Sequence, residues 1–147
     1  MPKTRDLIVE VLEKGYLMSL ATIDESGPWL AAVRFSFDDQ LSVYWASQES
    51  VRHSQALALD PRAAVSVTLC NKVGDQKIGI QIQGRASVVD QIPLEAAVRY
   101  NAKKGKPAPT SGAELLQPGQ SWYCLTPTKI DLIYEPLFGY EKKFLEL

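Results

Sequence analysis

Histidine occurs once in these 147 residues, as His53, and cysteine twice, as Cys70 and Cys124. One imidazole and two distant thiols in no CxxC arrangement argue against a zinc centre or a His-rich catalytic site, and reduced, packed cysteines are the expectation. No charge is in excess either. Sixteen Lys and Arg stand against 17 Asp and Glu, a formal net charge of −1. There is no global basic field for nucleic acid or an anionic membrane, so any anion site must be local. Long hydrophobic runs are missing, and none approaches the roughly 20 residues that span a bilayer. The opening "MPKTRDLIVEVLEKG" mixes charges into its apolar positions and lacks the apolar core of a signal peptide. The expectation is a cytoplasmic protein.

What is present suits a single domain, 1–147, with 46% hydrophobic and 22% charged residues. Residues 4–14 carry Leu7, Ile8, Val11 and Leu12 on one helical face, with Thr4 as a cap and Gly15 as terminator. Strands follow at 17–23, 29–37 and 41–47, separated by the turns "SGP" and "DDQ". In the second of them Trp29, Ala31, Val33, Phe35 and Phe37 alternate against a face with Arg34 and Ser36. A helix is expected at 50–59, then strands at 63–69 and 78–89, with Gly84 marking a bulge or bend. A third helix covers 93–105, and 106–120 is the loosest segment, a candidate flap. Two strands close the chain, around 121–134 and 138–146. The sum is a mainly β protein with peripheral helices, a six- to seven-stranded antiparallel barrel, closed or nearly so.

The helix at 50–59 begins against the usual rule. Its first turn holds Arg52 and His53, whereas the partial positive charge of a helix N-terminus favours acids. Arg52 beside free N–H groups makes sense if a dianionic group binds there, with hydroxyls from Ser47 and Ser50 and a ring nitrogen from His53 as further donors. Side chains simply turned to solvent would look the same in sequence. No Ser–His–Asp arrangement is evident, because a histidine at a helix start suits an anion better than a nucleophilic serine. Asp24, Asp38 and Asp39 fall in turn signals. No catalytic residue is assigned.

The ordered set Leu20-Ala21-Thr22, Ser47, Arg52-His53, Asp60-Pro61-Arg62 and Gly84-Arg85-Ala86 resembles the pyridoxamine 5′-phosphate oxidase-like family of FMN-binding split barrels. The resemblance covers about residues 15–90. It implies a split β-barrel homodimer with flavin at the subunit interface, serving a flavin-dependent oxidoreductase on a small-molecule substrate. Carried over, Arg52 and His53 become phosphate ligands helped by Ser47 and Ser50, although many relatives have Lys where this chain has His53. Val33, Arg34, Phe35 and Ser36 would lie along the flavin ring, with Arg34 as the charged contact or as half of a cross-strand ion pair. Ala46 sits beside Ser47. Gln81 reaches the flavin or faces solvent, and Lys142 and Lys143 reach the partner's phosphate or end a solvated strand. Trp45, Trp122 and Tyr123 either stack on substrate or belong to the core. The C-terminal "GYEKKFLEL" lacks the Arg-x-His substrate motif of the vitamin-forming oxidase, so pyridoxamine phosphate is not the expected substrate. A non-catalytic flavin or haem protein is the alternative, with a deazaflavin as a further cofactor candidate.

Overall fold

The computed structural model describes residues 1–147. In chain order the elements are α1 (Thr4–Lys14), β1 (Leu17–Asp24), β2 (Gly27–Arg34), β3 (Ser36–Phe37), β4 (Val43–Gln48), α2 (Arg52–Leu59), β5 (Arg62–Thr68), β6 (Ile78–Val89) and α3 (Leu94–Ala102). A 3₁₀ turn at Ala113–Leu115, β7 (Gln120–Tyr134), the short α4 (Glu135–Phe138) and β8 (Lys143–Leu145) complete the chain.

All strand pairs are antiparallel, in the order β2-β1-β5-β6-β7-β4-β3, with β8 added on β7. The two ends of this curled sheet, β2 and β3, are joined through Phe35 alone, so the barrel closes there by chain continuity. Elsewhere β2 has an open edge. Beyond Tyr44, β4 is bonded only to β7. The split therefore runs between β2 and residues 45–48 of β4, and it is the expected split barrel.

The core explains the local choices. Leu7, Ile8, Val11 and Leu12 of α1 are buried against the sheet, together with Met18, Leu20, Val65, Ile80 and Ile82. Lys3, not Thr4, is the N-cap of α1, and no side chain caps it. Gly15 does end the helix, with extended backbone; a Cβ there would come within 2.4 Å of Val67 Cγ1. Close packing therefore requires this glycine. At Gly84 the β6–β7 register shifts, and a Cβ would lie 2.1 Å from the Thr126 carbonyl oxygen, so the expected bulge is present.

Three expectations change. The run 29–37 is not one strand, because Phe35, Ser36 and Phe37 are all buried. Ser36 Oγ donates to the Ala96 carbonyl at 2.6 Å, so α3 covers the face that alternation would leave to solvent. The run splits into β2 and β3, giving eight strands. Likewise 138–146 is not one strand, because α4 with Pro136 in its first turn, then Gly139 at φ 58°, intervenes before β8. The segment 106–120 is tied down rather than loose. Asn101 donates to Pro107 O and Trp122 Nε1 to Gly112 O, each at 2.9 Å, over a small second core of Tyr44, Ile92, Ala96, Ala97 and Trp122.

Candidate functional site

The first turn of α2 lies where the split opens. The chain leaves β4 at Gln48, turns, and enters the helix one residue later than Ser50 capping would require. The N-cap is Val51, no side chain caps the helix, and no acid sits in its first turn. Pro61, which has no N–H, follows the stop at Asp60, whose own N–H donates to Ala56 O at 2.9 Å. Between these limits α2 packs on β1, β2 and β6.

Arg52 and His53 do not both point outward. Arg52 chelates Asp24 at the end of β1, Nε to Oδ2 at 2.8 Å and Nη2 to Oδ1 at 3.0 Å, and its guanidinium lies 4.3 Å from the centre of the Trp29 ring. The hydrogen bond from Arg52 holds the Asp24 carboxyl below the usual carboxylate range, and the same contact raises Arg52. His53 is 9% exposed, and its Nε2 is 2.8 Å from Ser47 Oγ. Burial lowers its pKa, which favours the neutral ring. One residue on, buried Ser54 Oγ has no partner. The turn thus gathers an uncapped helix start, two buried hydroxyls, an imidazole and a guanidinium whose charge is already balanced.

Asp24 and Trp29 were not legible as part of this group. Asp24 does make its turn bond, accepting from the Ser26 N–H at 2.9 Å, but it also reaches Arg52 from 28 positions away. Trp29 alternates as a core residue would, yet lies on the open edge strand.

Arg34 lies at the other end of β2, five residues from Trp29 and so about 17 Å along the strand. It is exposed, donates through Nε to Tyr16 Oη at 3.0 Å and covers that ring, so it is in no ion pair. Tyr100, Lys103 and Lys104 line the same hollow. Val33 is half-buried; Phe35 and Ser36 are sealed from solvent. Ala46 is half-buried and packs on the second core, and Ser50 is exposed. Gln81 faces solvent on the outer sheet face, where Lys142 Nζ donates to its Oε1 at 2.8 Å and stands 3.9 Å from Asp131. Lys143 pairs with Glu141 at 2.9 Å. Within one chain, then, Ser47, Arg52 and His53 come together, while Gln81 and Lys142 form a separate cluster. Trp45, Trp122 and Tyr123 are buried, which assigns them to the core.

The sequence profile of the pyridoxamine 5′-phosphate oxidase family matches residues 4–134, every element from α1 to β7. The chain belongs to this family. Lys142 and Lys143 lie beyond the matched stretch. A UPF0306 protein of Pasteurella multocida is 25% identical over 91 residues, 61% of each chain, so the match spans about three fifths of that relative's length. Among solved structures, a heme binding protein from Mycobacterium smegmatis aligns over 99% of this chain and 59% of its own, at TM-score 0.71 and 16% identity. An F420 reductase aligns over 88% and 98%, at TM-score 0.60 and 18% identity. These structural likenesses share the fold.

Proposed function

We propose that this chain of the pyridoxamine 5′-phosphate oxidase family binds FMN and works as a cytoplasmic, homodimeric flavin-dependent oxidoreductase. The observation that carries the reading is the first turn of α2, which has neither acid nor side-chain cap and holds Arg52 and His53, with Ser47 Oγ against the His53 ring. That donor set fits a phosphate monoester, because uncapped N–H groups and hydroxyls serve an anion without a competing carboxylate of their own helix. Ser47, Ser50, Arg52 and His53 would hold the phosphate, with Ala46 alongside. Arg52 would share its guanidinium between Asp24 and the ligand. Arg34 would offer its side chain toward the ring, while Val33, packed on the core, and buried Phe35 and Ser36 have only backbone to offer. Gln81, Lys142 and Lys143 would act from the second subunit. Bound flavin supplies the redox chemistry, and the protein supplies placement and charge.

An absorbance spectrum of the purified protein, before and after FMN titration, tests this. Bound flavin bands are expected, with affinity falling at least about tenfold in Arg52→Ala, the worth of one charged contact. A colourless protein that ignores FMN would sink the reading. Two relatives set the controls. Haem would need an axial ligand, and the single histidine is buried with Nε2 held by Ser47, so a Soret band is not expected. Titration with a deazaflavin covers the cofactor named in the reductase.

A further inference from the structure

On the FMN reading, we infer that this chain takes up one proton at His53 each time the flavin phosphate binds, so that its cofactor affinity is set by pH. The charge balance within the first turn of α2 favours it. A phosphate dianion needs compensating charge, and Arg52 is already matched by the two oxygens of Asp24. The first turn holds no other cation except, when protonated, His53. Its geometry is prepared for the change. A neutral ring shares a single hydrogen with Ser47 across the 2.8 Å contact, in a direction set by the tautomer. In the neutral tautomer with hydrogen on Nε2, and in the protonated ring, Nε2 donates to Ser47 Oγ and the serine O–H is free for the phosphate; protonation adds the positive charge and locks that direction.

Without ligand the ring stays neutral. The charged groups on the surrounding elements are Arg52 on α2, Asp24 on β1, Arg34 at the far end of β2, Arg85 on β6 and Glu49 just after β4. None of these perturbs the ring; burial alone does, and it lowers the pKa below the ordinary 6.5.

The sign follows from proton counting. Above about pH 7 a free phosphate monoester is dianionic, its second pKa being about 6. Free His53 is then neutral, binding takes up one proton, and Kd should rise toward about tenfold per pH unit. FMN titrations followed by flavin fluorescence between pH 7 and 8.5 read this directly. Without the imidazole the Kd should lose this pH dependence over the same range. In His53→Gln, which keeps a neutral hydrogen-bonding side chain in the buried site, it should be flat and weaker. Because the chain has one histidine, its ring protons give one NMR signal set, and FMN added at pH 7 should move that set toward the protonated position. A wild-type Kd that is flat with pH, with ring signals unmoved by bound FMN, would overturn the inference and leave the flavin site standing. No FMN binding at any pH would remove both.

Discussion

Lys103 shows how one side chain serves two elements. From the end of α3 its amine donates to the carbonyls of Leu12 and Gly15, at 2.7 and 2.9 Å, and lies 3.6 Å from the centre of the Phe35 ring. It supplies donors to the last carbonyls of α1 and covers the corner where β2 gives way to β3. Burial pulls the amine down from 10.5 to about 8. Replacing it in Lys103→Met keeps the stem but leaves those carbonyls unpaired, and urea unfolding at pH 7 should show a loss of about 1–3 kcal/mol. Between pH 8 and 10.5 the unfolded chain holds a proton that the folded one has released, so wild-type stability should gain on the variant as pH rises. The same scale explains what was readable around α2. Arg52 and His53 stand out in sequence because they break a local rule at a helix start. Asp24 does not, since nothing in a turn signal announces a partner 28 residues away.

Elements differ in how far local pattern controls them. In β6, Ile78, Ile80 and Ile82 alternate with polar or small residues, and a glycine interrupting such a strand signals a bulge. The structure has that bulge because the Thr126 carbonyl approaches where a Cβ would be. Gly84→Ala must displace backbone rather than a flexible side chain. We expect a loss of about 3 kcal/mol, the upper end for overpacking, measured by thermal and urea unfolding. The run 29–37 alternates just as cleanly and yet breaks at Phe35. The cause is α3, whose Ala96 carbonyl takes the Ser36 hydroxyl from 60 positions along the chain. Periodicity records which faces are apolar, not which later element will cover the other face. For the same reason 106–120 reads as loose while Trp122 and Asn101 hold it down.

At the scale of the whole molecule, the barrel leaves one edge and one outer face unfinished. On the open strand β2, Leu30 is 66% exposed and Trp29 is exposed beside it. A groove of about 360 Å³ follows on the outer sheet face, floored by Ser19, Ala21, Ala64 and Ser66 and rimmed by Leu30 and Gln81. Small residues in two cross-strand pairs of β1 and β5 let another surface approach closely, and an uncovered strand edge invites one. The proposed homodimer predicts twice the 16.3 kDa chain mass in light scattering, and Leu30→Asp should shift the protein to monomer. A monomeric wild type would remove the second subunit from the flavin site.

Alternation, turn residues and helix punctuation lie within a few positions of one another, so the sequence by itself determined most of the element order, an antiparallel barrel with peripheral helices and the helix start that breaks its own rule, while the resemblance of its motifs implied the split. Which side chains meet across the barrel depends on contacts between distant segments, and only the tertiary structure decided those. It paired Arg52 with Asp24, buried Ser36 under α3 and set His53 against Ser47. The charge left at the start of α2 is the outcome of those contacts and of no local pattern.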